Sequence, residues 1–321
     1  MKYYLAPMEG ITGYIYRNSY KKFFNNIDKY FTPFIVPNTS TSLKTKELRD
    51  VLPENNKGMN IVPQILTNDP EGFITTSRKL QQLGYEEINL NLGCPSGTVV
   101  SKNRGSGFLA KREELDMFFN EIFKMDDMKI SVKTRIGKDS PEEFYELIKI
   151  YNKYPIEELI IHPRTQKDFY GNKPNLEVFK DALALSTNPV CYNGDIFTVN
   201  DHNSLIKAFP EVKTLMLGRG VLANPGLVSL INNDTNINKK VLKDFHDEVL
   251  NEYIELFNED KNAMFRMKEL WGYMIYIFSD NKKYAKKIKK AQKLRDYNEA
   301  VSKLFEEQEI LEGAGLFNNE N

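Results

Sequence analysis

Short apolar runs, each followed by a longer amphipathic segment, succeed one another from residue 3 to about residue 230. About eight such runs stand at residues 3–6, 30–36, 61–66, 88–92, 130–134, 159–162, 190–193 and 214–217. Apolar residues at helical spacing are clearest between them at 70–83, 112–124, 141–153 and 199–209. Parallel strands need crossover connections, and a helix in each crossover covers the sheet. The pattern predicts an α/β fold, a (β/α)₈ TIM barrel. An open doubly wound sheet is the alternative. Against it, Ala6-Pro7-Met8-Glu9-Gly10 follows the first strand where a dinucleotide fold would carry its glycine fingerprint.

Polar and special residues recur at the C-terminal ends of these strands, the rim on which barrel enzymes carry their chemistry. Pro7 and Met8 follow the first strand, Gln64 lies in the third, and Asn91 and Cys94 surround the end of the fourth. Lys133 and Arg135 end the fifth, His162 and Arg164 the sixth, Asn193-Gly194-Asp195 the seventh, and Gly218-Arg219-Gly220 the eighth. Each alone has an ordinary explanation: Lys133 as a snorkelling strand end, His162 as a core histidine, the glycines as turns. Their convergence on one rim reads as a site.

The two cysteines differ in surroundings. Cys191 lies in an apolar strand and reads as packing, whereas Cys94 stands in Gly93-Cys94-Pro95-Ser96-Gly97, a turn that neither helix nor strand runs through. Glycine-bearing loops after the last two strands suit a phosphate: the N–H groups of Gly194, Gly218 and Arg219 approach it, and the Arg219 side chain adds charge. Lys133 is placed to neutralise charge on a cofactor ring. No His, Asp and Cys cluster has metal-ligand spacing, so a phosphorylated organic cofactor is expected and no metal.

The segments APMEGITGYIYR, Gln64, LNLGCPSGTVVSKNRGSGFL, VKTRIG, HPRTQKDFYG, NGDI and LGRGVLANP, in this order, resemble the tRNA-dihydrouridine synthases. These are flavoenzymes that reduce uridine in tRNA. Gly13, where that family often carries Asp, and Pro163, where Gly is common, are departures. The resemblance implies a bound FMN, with Pro7 and Met8 against its ring and Gln64, Lys133 and His162 on its polar edge. It implies Asn193, Asp195, Gly218 and Arg219 at the phosphate and NADPH as a transient reductant. Cys94 would give the proton to C5 of uracil while a hydride reaches C6, a task that suits an ordinary thiol, mostly protonated at neutral pH. Asn91 and Arg135 would meet the uracil.

A stacked uracil must be flipped out to reach a barrel mouth, and contacts elsewhere on the RNA must offset that cost. With 44 basic and 44 acidic residues the chain is neutral, so such contacts need a local patch. The expected division is a barrel domain at 1–232 and a small all-helical RNA-binding domain at 240–321, with a polar linker between. Met264, Met267, Leu270, Trp271, Met274, Ile275 and Phe278 keep helical spacing and predict its inner stripe. Behind them Lys283, Lys286, Lys290 and Lys293 are expected on one basic helical face for RNA phosphates. The tail at 306–321 is expected to be frayed.

No signal-peptide pattern and no apolar stretch near twenty residues occurs, so a cytoplasmic monomer without membrane contact is expected. Two other readings compete. A reductase of a free small molecule leaves the basic helix without purpose, and an RNA scaffold without chemistry leaves Cys94, Lys133 and Arg219 unexplained. Ribosomal RNA is an alternative substrate to tRNA.

Overall fold

The computed structural model describes residues 1–38, 43–234 and 238–311. Its parallel strands are β1 (Lys2–Leu5), β2 (Lys29–Phe31), β3 (Ile61–Val62), β4 (Gln64–Ile65), β5 (Glu87–Leu92), β6 (Lys129–Gly137), β7 (Leu159–Thr165), β8 (Val190–Asn193) and β9 (Thr214–Leu217). The sheet order is β3-β2-β1-β9-β8-β7-β6-β5-β4. Its two ends, β3 and β4, are separated only by Pro63, which has no N–H to give to a ladder. The stretch is paired on both edges: Thr32 N–H donates to Val62 O, and Asn89 N–H to Pro63 O. The sheet therefore wraps into the expected barrel, with eight strand positions.

Helices follow the strands as the spacing predicted, among them α1 (Tyr14–Phe23), α2 (Thr45–Val51), α3 (Pro70–Gln82), α4 (Gly97–Val100), α5 (Arg112–Ile122), α6 (Phe144–Tyr151), α7 (Leu176–Leu185), α8 (Val199–Ala208), α9 (Arg219–Ala223) and α10 (Leu227–Ile231). Asp69 starts α3 by accepting from the N–H groups of Glu71 and Gly72, with Pro70 in the first turn. α1 begins at Gly13, which offers no side-chain cap. The barrel interior is closed by Tyr4, Ala6, Phe31, Val62, Ile160, Cys191 and Met216. Cys191 is wholly buried there, as its apolar strand predicted, and burial pushes its thiol well up.

The chain divides into two compact units, Met1–Pro7 with Asp28–Gly194 and Phe209–Met216, and Met8–Ile27 with Asp195–Ala208 and Leu217–Asn321. The second unit is not a simple C-terminal segment. Its helices α11 (Lys239–Phe257), α12 (Asp260–Met274), α13 (Lys282–Lys290) and α14 (Leu294–Glu307) group with α1. Phe245 of α11 meets Tyr16 and Phe24 edge-on, at 5.6 and 5.4 Å between ring centroids. The expected stripe from Met264 to Phe278 is buried throughout. Residues 235–237 of the linker and 312–321 of the tail lie outside the described residues.

Candidate active site

Strand β5 shows how the sequence builds the site. Ile88, Leu90 and Leu92 occupy one face, and Asn89 and Asn91 the other. Asn89 lies opposite Ser131 of β6, and Asn91 opposite Lys133. The amides form a buried chain. Asn91 Nδ2 donates to Gln64 Oε1 at 2.7 Å, Gln64 Nε2 to Asn89 Oδ1 at 2.7 Å, and Asn89 Nδ2 to Ser131 Oγ at 3.0 Å. Asn91 then turns its Oδ1 to the N–H groups of Gly93 and Cys94, both at 3.0 Å. The ladder thus holds the amide donors and acceptors of Gln64 and Asn91 in one orientation.

Cys94 is half-buried, and its backbone is held from several sides. Its N–H goes to Asn91, and its carbonyl accepts Ser106 N–H at 3.1 Å and Ser106 Oγ–H at 2.8 Å. Gly105, at φ +55°, allows this approach, since a Cβ there would stand 2.8 Å from Cys94 O. The preceding carbonyl, Gly93 O, accepts Arg135 Nε–H at 2.9 Å. The same guanidinium donates from Nη1 to Thr165 O and from Nη2 to Phe169 O, at 2.7 and 2.8 Å. Arg135 was expected at the uracil. It is 1% exposed, and these three hydrogen bonds all run to backbone carbonyls.

Lys133 is half-buried opposite Asn91, two residues before the Cys94 turn begins, and burial, reinforced by Arg135, lowers its ammonium to about 8. His162, on β7 beside Arg135, is buried with its Nε2 at 3.0 Å from Arg164 Nη1. Asn193 ends β8 with its Nδ2 donating to Met216 O at 2.8 Å. A Cβ at Gly194 would stand 2.1 Å from the Tyr192 hydroxyl, so only glycine fits there.

In the second unit, Arg219 Nη2 meets Asp195 Oδ1 at 2.6 Å, and the guanidinium lies 5.4 Å from the Phe197 ring centre. Gly218 caps α9, and a Cβ at Gly220 would reach within 1.9 Å of Ile196 O. Met8 donates its N–H to Thr12 Oγ1 at 2.8 Å, and Pro7, in the first unit, is half-buried like it.

Among the expected lysines, Lys286 and Lys290 line a groove of about 460 Å³ with Lys287, Lys303, Asp296 and Glu299. Lys283 lies apart from that lining, 3.3 Å from Glu307 and over the Tyr284 ring. Lys293 is not on the expected face, because α13 ends at Lys290 and Lys293 precedes α14. No group of three or more His, Cys, Asp or Glu among the described residues is placed to hold a metal. No described helix is long and apolar enough to cross a membrane.

A model of the family described as dihydrouridine synthase matches residues 4–319. The chain belongs to this family. Its members are oxidoreductases, and the chain is an enzyme of that class. A probable tRNA-dihydrouridine synthase of Staphylococcus aureus is 29% identical over 230 residues, covering 69% of this chain and 68% of the relative. The tRNA-dihydrouridine synthase B of Pasteurella multocida is 26% identical over 282 residues, 84% of this chain and 83% of its own. Morphinone reductase in complex with tetrahydroNAD shares the fold at TM-score 0.52 and 11% identity, covering 74% of this chain and 88% of that one. Histamine dehydrogenase from Rhizobium sp. 4-9 does so at TM-score 0.54 and 13% identity, covering 76% and 46%.

Asn89, Ser131 and Ser106 escaped the sequence reading. Asn89 was legible as the second polar residue of an alternating strand. Ser106 carried no signal, because it meets Cys94 only after the chain has turned back.

Proposed function

We propose that this family member reduces specific uridines in tRNA to 5,6-dihydrouridine, with FMN as bound cofactor and NADPH as reductant. The observation that carries the proposal is the restraint on Cys94, whose backbone is tied at both its N–H and its carbonyl just past the end of β5. Structural cysteines are ordinarily held by packing, whereas a proton donor must be aimed.

The residues present fit a flavin phosphate. Arg219 supplies a guanidinium oriented by Asp195, and Gly220 lets α9 pack closely on the Ile196 carbonyl. A carboxylate repels phosphate, so Asp195 serves by fixing the guanidinium, and Gly218, the residue before Arg219, belongs to the same proposed set. Pro7 and Met8 are the proposed apolar contacts of the ring, and Gln64, Lys133 and His162 the polar ones. Asn193 and Gly194 complete the proposed set.

When bound and reduced, FMN supplies a hydride to C6 of uracil. Cys94 delivers a proton to C5, and the resulting thiolate takes one back from solvent. Asn91 orients the turn, Lys133 offsets negative charge on the ring, and Arg135, bonded to the carbonyls of Gly93, Thr165 and Phe169, holds the loops beside the uracil. Lys283, Lys286 and Lys290 bind phosphates of the RNA. The enzyme acts as a cytoplasmic monomer in this reading.

The test is mass-spectrometric mapping of dihydrouridine in RNA from cells with and without the protein, beside the flavin released on denaturation. Loss of a tRNA dihydrouridine and release of FMN are expected. Unchanged tRNA with a lost ribosomal dihydrouridine would move the substrate, and a colourless protein that takes up no FMN would remove the cofactor.

A further inference from the structure

We propose that Phe169 stacks on a nucleobase of the RNA next to the uridine that enters the Cys94 site, a proposal that rests on the reading of the chain as an RNA uridine reductase. Phe169 is 49% exposed and Tyr170, its neighbour, 42%. Phe169 also stands at φ +47°, a conformation that bulky L residues seldom adopt. A bulky apolar residue held at positive φ and left half-exposed is what a side chain presented to a ligand looks like.

The loop that presents it is internally fixed. Asp168 Oδ2 accepts the Thr165 N–H at 2.7 Å and its hydroxyl at 2.8 Å, Phe169 N–H donates to Gln166 O at 3.1 Å, and Gly171 N–H to Asp168 O at 2.8 Å. It is also fixed to the catalytic turn. Arg135 donates from Nη2 to Phe169 O and from Nε to Gly93 O, so one guanidinium spans the carbonyl before Cys94 and the carbonyl of the exposed phenylalanine. Gln166 Nε2 adds a second tie, 3.4 Å from Pro95 O. The backbone of Phe169 is therefore held beside the turn that carries Cys94.

For a flipped uridine, the neighbouring nucleotide has lost a stacking partner on one side. An aromatic side chain replaces that partner for any base, since every base has a π face. The ligand class is a nucleobase in single-stranded or splayed RNA. Recognition there is by stacking and is independent of charge.

The test uses the flavin-loaded enzyme and an unmodified tRNA transcript, with Phe169→Leu, Phe169→Trp and Phe169→Gly. Leucine keeps apolar bulk without a stacking face and should weaken RNA binding about tenfold. Tryptophan should bind as wild type. Glycine should lose affinity as leucine does while melting no lower than wild type, because φ near +47° is ordinary for glycine. In all three the slope of log Kd against log salt should match wild type, since no phosphate contact changes. Leucine binding RNA as tightly as wild type would overturn the stacking role. So would a shallower salt slope in the leucine variant, which would assign the loss to charge. If the wild type reduces no uridine in RNA, the underlying reading fails instead, and the two failures are told apart by that control.

Discussion

Arg164 donates from Nη1 to Nε2 of His162 across 3.0 Å. A guanidinium has donors only, so Nε2 accepts and the proton of the neutral imidazole sits on Nδ1. ¹⁵N spectra of the histidine should show Nε2 without a proton at neutral pH, and Arg164→Ala should mix the tautomers. A protonated Nε2 in wild type would sink the assignment.

Cys94→Ala should separate the half-reactions. Reduction of bound flavin by NADPH needs no protein acid and should keep near wild-type rate. Reoxidation by RNA should slow by roughly a hundredfold or more. Cys191→Ala should change neither. Stopped-flow flavin absorbance resolves the steps, and equal reoxidation in Cys94→Ala would exclude the thiol as acid.

Ser106→Ala removes the hydroxyl from Cys94 O but leaves the Ser106 N–H bond. The loss should be about 1 kcal/mol in stability, with reoxidation by RNA slowed and flavin reduction unchanged. Equal effects on both half-reactions would mean the hydroxyl supports the barrel generally and not the placement of Cys94.

Lys133, lowered to about 8 chiefly by burial, is charged at pH 7 and loses its proton as pH rises through that value. Its help in holding anionic reduced flavin should therefore be present below about pH 8 and fade above it. The affinity for reduced FMN, measured from pH 6.5 to 9, should fall in that window, and Lys133→Met should be weak and flat throughout. A wild-type profile as flat as the variant's would remove Lys133 from the flavin.

In the helical unit, Trp271 Nε1–H donates to Tyr297 Oη at 2.8 Å, and His246 Nε2 lies 2.7 Å from the same oxygen. Trp only donates, so Tyr297 accepts from it and donates on to His246. Tyr297→Phe strands two buried polar groups and should cost about 2–4 kcal/mol, read by denaturant unfolding. Burial lowers His246, against the pull of Asp247. The unfolded chain then binds the extra proton more readily, so this contribution is whole above pH about 6.5 and is lost below it. Its slope is up to about 1.4 kcal/mol per pH unit.

The sequence by itself determined the barrel and the strand ends at which its polar residues stand. Strand alternation and helical spacing are local periodicities, so Ile88, Leu90 and Leu92 announced their strand and the turn at Gly93 to Gly97 announced its end. The inner stripe from Met264 to Phe278 was legible for the same reason. Only the tertiary structure decided what the polar groups do. Arg135 and His162 looked alike in sequence, each a polar residue at a strand end, yet Arg135 binds three carbonyls from two separate segments and His162 takes its tautomer from Arg164. Likewise Lys283 and Lys286 belong to one lysine run, but Glu307 of α14 draws only the first aside. Hydrogen bonds and ion pairs depend on which distant segments fold back within about 3 Å, and no periodicity along the chain encodes that.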